Sequence, residues 1–251
     1  MTEDRFSLSN KRLLITGASS GIGRDICIET SKCGAQVILT ARNEERLNQT
    51  FEELEKSNNH SIIQADLNKS DELNDIVDNV SELDGIVLCA GVTLVKPVHF
   101  TKPELFRWVF NANFFSQAEL IRLLYKKKKI KNGASIVFIS SIGGTRIFSG
   151  VNCAYGSSKA ALTSFMHYCA LEFSNRLIRV NSISPGMIDT ALIHGGDISE
   201  EQLKNDLVKY PLKRYGKTID VVNATIFLLS DASSWITGHD LVVDGGVSIN
   251  T

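Results

Sequence analysis

Leu13-Leu14-Ile15, running directly into Thr16-Gly17-Ala18-Ser19-Ser20-Gly21-Ile22-Gly23, decides how this chain is read. A short apolar run without alternation has the character of a strand buried on both faces. Glycines at 17, 21 and 23 permit a tight turn and let backbone N–H groups approach a phosphate, which the N-terminus of a following helix also attracts. The stretch therefore predicts a dinucleotide site in a strand-turn-helix unit, with Gly17, Ser19, Ser20, Gly21, Ile22 and Gly23 around the phosphates. The spacing G-x-x-x-G-x-G departs from the usual G-x-G-x-x-G, so the reading rests on the position of the turn between first strand and helix.

Six further apolar runs follow: Val37 to Leu39, Ile62 to Ile63, Ile86 to Leu88, Ile136 to Ile139, Val180 to Ile183 and Leu241 to Val243. Helical stretches lie between them, among them Glu44 to Glu55, Asp71 to Val80, Phe106 to Leu124 and Ala154 to Phe173. Alternation of this kind predicts an α/β fold, a single Rossmann-type doubly wound domain with a seven-stranded parallel sheet and helices on both faces. No linker, repeat or low-complexity segment divides residues 1–251, so one dinucleotide-binding catalytic domain is expected. The chain is 43% hydrophobic and 22% charged with a formal net charge of -1, which gives no reason to expect nucleic acid or a membrane surface as partner. Five cysteines without C-x-x-C spacing read as thiols in a reducing compartment, and no metal site is expected. Glu3, Asp4 and Arg5, with no apolar run before Arg12, carry no secretory pattern, and a cytoplasmic location is expected.

The second strand ends in Thr40-Ala41-Arg42, where an acidic residue would bind the adenosine ribose hydroxyls and repel a 2′-phosphate. Arg42 can instead accept that phosphate through charge-assisted hydrogen bonds, which favours NADP(H) over NAD(H). Asp66, beside Leu67, either reaches the adenine edge or serves as a helix cap or turn residue. Cys89-Ala90-Gly91 after the fourth strand leaves room for a cofactor to cross the sheet edge. Tyr155 and Lys159 stand four apart on a helix and so share a face. A cation about 5 Å from a phenolate is worth roughly 3 kcal/mol at an effective dielectric of about 20, enough to lower a tyrosine pKa by about two units.

Thr16 to Gly23, Cys89-Ala90-Gly91, the second asparagine of Asn111-Ala112-Asn113, Ser140-Ser141, Tyr155 with Lys159, and Pro185-Gly186 resemble, in order and spacing, the short-chain dehydrogenase/reductase superfamily. The resemblance spans the chain to Val243-Asp244-Gly245-Gly246, and in length and ending it is similar to the 3-oxoacyl-acyl-carrier-protein reductases. It implies a catalytic set of Asn113, Ser141, Tyr155 and Lys159. Ser141 would polarise a carbonyl and Tyr155 would protonate it. Lys159 would hold the nicotinamide ribose, and Asn113 would mark a helix kink holding a water. Ala90, Gly91, Pro185, Gly186, Ile188 and Thr190 join Arg42, Asp66 and Leu67 as implied cofactor contacts. Two departures are Cys89, where the family has asparagine, and a long gap from Ser141 to Tyr155 that leaves Ser140 as a rival.

A substrate lid over about 187–211 is expected, its Gly195-Gly196 permitting motion. Lys126 to Lys129, with Lys131, are either a solvated helix end or a docking surface for an acyl carrier protein. The resemblance implies a homotetramer, with a dimer as alternative. The expected activity is NADPH-dependent reduction of a ketone or 3-oxoacyl thioester. A sugar or polyol dehydrogenase is the alternative enzyme, and a non-catalytic NADP(H) sensor the alternative of another class. If Arg42 reads the 2′-phosphate, Arg42→Ala weakens NADPH binding by at least about tenfold, the loss of one charge-assisted contact, and NADH binding little. Titration of both nucleotides checks this, and equal losses refute it.

Overall fold

The computed structural model describes residues 5–190 and 205–250. Its seven strands fall on the seven apolar runs: β1 Arg12–Thr16, β2 Gln36–Ala41, β3 Ser61–Gln64, β4 Leu83–Leu88, β5 Ile130–Ile139, β6 Arg179–Pro185 and β7 Asp240–Val243. All pair in parallel in the order β3-β2-β1-β4-β5-β6-β7. The order reverses between β1 and β4, and at such a switch point the loops leaving the strands' C-terminal ends diverge and open a crevice.

Alternate residues of one strand serve two cores. Leu14 faces a cluster completed by α3 (Ser70–Asn79), α5 (Ser116–Lys126) and α6 (Cys153–Glu172), whereas Leu13 and Ile15 face one completed by α1 (Gly21–Lys32), α2 (Glu44–Glu52) and α7 (Thr218–Leu229). Both faces are therefore apolar, which is why these strands read as unbroken hydrophobic runs. Helix α7 had no counterpart in the reading of the sequence, although Ile219 to Leu229 is strongly apolar. Asp220 reaches back from its first turn to accept the Lys217 N–H at 2.7 Å.

Two helices differ from expectation. The single helix expected over Phe106 to Leu124 begins earlier, at Pro103, and is three segments: α4 (Pro103–Phe110), a π-helical turn (Asn111–Phe115) and α5. The helix expected to reach Glu55 ends at Glu52. The lysine run lies between α5 and the N-terminal end of β5, at the opposite end of the sheet from Ser141. Lys127 pairs with Asp78, Lys131 with Asp84, and Lys129 donates to the Val80 carbonyl. These charges join helices and strands of their own fold, and most of β5, at about 3.3 Å per residue, separates them from the catalytic end. A carrier docked there would face away from Ser141.

Of the expected lid, residues 191–204 lie outside the described residues. Its described flanks are anchored: Ile188 forms a parallel bridge with Gly216, and the Met187 N–H donates to the Tyr210 hydroxyl.

Strand β6 departs from apolar character because its polar side chains secure the last strand. Ser182 and Ser184, both fully buried, donate to the Asp240 carboxylate at 2.6 and 2.8 Å, and Asn181 exchanges hydrogen bonds with the Ile236 carbonyl and the His239 N–H. Asp240→Ala strands two buried hydroxyls and costs on the order of 2–4 kcal/mol. Urea unfolding of wild type and variant measures it.

Candidate active site

Helix α6 starts where Asn152 turns the chain in from the β5 loop, and its first two turns carry Tyr155, Ser158 and Lys159. Ser158 and Lys159 are buried and Tyr155 is half-buried. Ser158 donates back to the Tyr155 carbonyl at 2.7 Å and accepts from Asn113 Nδ2 at 2.9 Å. Lys159 Nζ donates to the Ile139 carbonyl at 2.8 Å and lies 6.0 Å from the centre of the Tyr155 ring.

Asn113 is completely buried inside the π-helical turn. Its Oδ1 accepts the Val92 N–H at 2.7 Å and its Nδ2 donates to the Val92 carbonyl at 3.0 Å. One carboxamide thus joins the β4 loop, the break between α4 and α5, and α6. The expected kink is present as the π turn, and the carboxamide is a brace rather than an exposed polar group.

The two serines after β5 separate clearly. Ser140 is buried, with its hydroxyl bonded to the Lys159 carbonyl and to Thr163 Oγ1, so it fastens α6 to the sheet. Ser141 caps a short 3₁₀ turn, its Oγ accepting the Gly143 N–H at 3.1 Å, and its hydroxyl lies close enough to the Tyr155 phenol to draw the phenol's pKa down. Ser141, not its neighbour, faces the tyrosine.

The electrostatics differ from the simple pair. Burial pushes the Tyr155 phenol above its ordinary value, and the Ser141 hydroxyl only partly opposes this. Burial also brings Lys159 down to about 8. An ammonium that loses its proton near pH 8 is neutral at the higher pH where the phenol titrates, so its help to the phenolate is confined to the range in which Lys159 is still charged. Near neutrality the free protein presents a protonated phenol beside a charged, buried lysine. The Cys89 thiol, pushed up to about 11 by burial, stays neutral. Its place in the turn costs no backbone hydrogen bond, because Thr16 Oγ1 accepts from both Cys89 N–H and Ala90 N–H and Gln117 donates to the Ala90 carbonyl.

The groove at the β1/β4 switch point fits a dinucleotide. Gly17 has φ +68°, and a Cβ there would lie 2.9 Å from Ala90 Cα. A Cβ on Gly91 would lie 3.1 Å from Asn113 Oδ1 and 3.5 Å from Lys159 Nζ, so the missing side chain keeps the floor open. Ser20 precedes α1 in extended backbone, and Gly21 lies below the Thr190 methyl. Thr40 Oγ1, at the C-terminal end of β2, is buried without a partner among the described residues. Arg42 is exposed with its guanidinium unpaired among the described residues. Asp66 makes a turn contact, its Oδ1 accepting from the N–H and the amide of Asn68. Leu67 is buried in the core, Pro185 ends β6, the Gly186 N–H donates to the Val243 carbonyl, and Ile188 is buried beyond them.

A family model described as enoyl-(acyl carrier protein) reductase matches residues 17–248. The chain belongs to the short-chain dehydrogenase/reductase superfamily. It is 34% identical to an L-xylulose reductase of Caenorhabditis elegans, over 98% of either chain. It is also 34% identical to a 3-oxoacyl-acyl-carrier-protein reductase of Rickettsia bellii, over 96% of this chain and 98% of the relative. A solved short-chain type dehydrogenase/reductase from Mycobacterium ulcerans superposes with a TM-score of 0.89 at 31% identity, covering 97% of this chain and 91% of that one.

A lysine whose pKa falls on folding binds fewer protons folded than unfolded through the interval between the two values. Stability therefore rises with pH from about 8 toward the unfolded value of 10.5 and is lost again as pH falls through 8. Relative to Lys159→Met, the wild-type chain gains on the order of 3 kcal/mol across that window. Urea midpoints measured without nucleotide check it, and parallel pH profiles refute it.

Proposed function

We propose that this chain is an NADPH-dependent oxidoreductase that reduces a ketone or 3-oxoacyl thioester to the alcohol, with Tyr155 as proton donor. The observation that carries the reading is the meeting of the Ser141 hydroxyl and the Tyr155 phenol, with Lys159 and Asn113 fixed behind them.

The bound nicotinamide cofactor supplies a hydride. Residues Gly17 to Gly23 would hold its phosphates on the N-terminus of α1. Arg42 would take the 2′-phosphate, Asp66 and Leu67 the adenine side, Ala90 and Gly91 the floor, and Pro185, Gly186, Ile188 and Thr190 the nicotinamide side. Lys159 and Tyr155 would meet the ribose.

A carbonyl undergoing reduction develops negative charge on oxygen. Ser141 and Tyr155 bring two hydroxyl donors to that oxygen. The raised phenol pKa keeps Tyr155 protonated near neutrality, the state a general acid needs. Lys159, held on the Ile139 carbonyl, places a buried positive charge behind the phenol, favouring the negative oxygen that the phenol would leave on giving up its proton.

The 3-oxoacyl reading draws on the Rickettsia relative, and the L-xylulose reductase relative supports a sugar or polyol substrate as the second reading. A homotetramer, or a dimer, is supported by exposed Trp108, Phe115, Tyr168 and Leu171 on α4, the π turn and α6. No described helix is long and apolar enough to cross a membrane, and a cytoplasmic location accords with the free cysteines. Tyr155→Phe should lower kcat by about a thousandfold, the range for loss of a positioned general acid, and leave NADPH affinity within about twofold. Unchanged turnover with a panel of carbonyl compounds refutes the assignment.

A further inference from the structure

The carbonyl is approached from the C-terminal ends of β4 and β5, and the two loops that leave them are joined. The Lys96 N–H donates to the Val151 carbonyl at 2.5 Å, and Lys96 and Asn152 form a parallel bridge. Thr101 Oγ1 donates to the Pro97 carbonyl at 2.9 Å, and Cys153 Sγ packs against Thr101 Oγ1 at 3.6 Å and the Lys96 carbonyl at 3.9 Å. The loops therefore form one braced rim.

Five apolar side chains of that rim stand in solvent: Val95 at 64%, Val98 at 65%, Phe100 at 59%, Phe148 at 78% and Val151 at 36% exposure. Single exposed apolar residues need no explanation, but several on two loops tied together form a patch that does. Val95 lies four residues past Gly91, and Val151 four residues before Tyr155. Four residues reach at most about 14 Å, so the backbones of Val95 and Val151 lie within that span of Gly91 and of Tyr155.

We infer that the substrate is a carbonyl compound with a large apolar body, which lies along the rim formed by Val95, Val98, Phe100, Phe148 and Val151 while its oxygen meets Ser141 and Tyr155. This rests on the reductase reading above and narrows it against the sugar reading.

The test uses straight-chain methyl ketones from butanone to decan-2-one and one ketopentose, assayed with the full chain by oxidation of NADPH or NADH. The expected kcat/KM climbs about fourfold for each methylene that reaches the rim, the value of burying one CH₂ group, and the ketopentose falls below the long ketones. Phe148→Ser and Val95→Ser each cut the ratio of decanone to butanone by about threefold or more. Trp235→Ser, on an exposed residue ahead of the N-terminal end of β7, leaves that ratio as it is. A flat series, preference for the ketopentose, or a ratio unmoved by both rim variants overturns the inference and leaves the reductase assignment standing. An unmoved ratio with a changed mass in solution on Phe148→Ser gives the rim to a second copy of the chain and likewise overturns it. Turnover of no ketone at all removes the reductase reading, and this inference with it.

Discussion

The buried carboxamide of Asn113 is the constraint from which the rest of the site follows. It satisfies both the N–H and the carbonyl of Val92 and reaches Ser158, so three elements distant in sequence have one permitted arrangement. Each of these bonds contributes only about 1 kcal/mol to stability, but an orphaned partner in the interior would cost about 1–3 kcal/mol. The asymmetry makes the arrangement close to all-or-none. With Val92 fixed, the β4 turn follows. Ser158 is the residue beside Lys159, so the depth of the ammonium below the groove is set by the same contact.

Burial then decides the chemistry. A lysine and a tyrosine in water would each titrate at about pH 10. Moving both into a shallow, partly dry site drives their pKa values apart, the lysine down to about 8 and the phenol up. Attraction at 6 Å is worth about 3 kcal/mol at an effective dielectric of about 20, but only while the lysine is charged. Desolvation outlasts that attraction, and the pair holds its protons in the order that suits an acid.

Much of this was legible in the residues. All seven strands showed as apolar runs because both faces of the sheet are covered, and the glycine turn located the switch point because only small residues let β1 and the β4 turn approach so closely. What escaped has physical reasons. The π turn is imposed by a tertiary contact of Asn113, which no local periodicity records. Ser140 and Ser141 are identical in sequence terms, and only the packing of α6 shows which hydroxyl is already engaged. Asp66 holds the Asn68 N–H and amide through Oδ1, a turn contact that its residue type allowed but its spacing did not single out. The lysine run read as a solvated helix end or a docking surface, and the partners of Lys127, Lys129 and Lys131, which are Asp78, the Val80 carbonyl and Asp84, lie too far along the chain for spacing to name them.

The π turn also bears on how this chain can change over evolutionary time. A π turn holds one residue more than the α-helical turn it replaces, so losing one residue from Asn111–Phe115 would let the segment close with ordinary i→i+4 bonds while α4 and α5 keep their facing. Leu120 and Leu124 would stay buried on α5. A deletion anywhere along α5 itself has no such reserve and would turn the residues beyond it by about 100°. The position of Asn113 is thus what such a loss from the π turn would cost, rather than the packing of the helix.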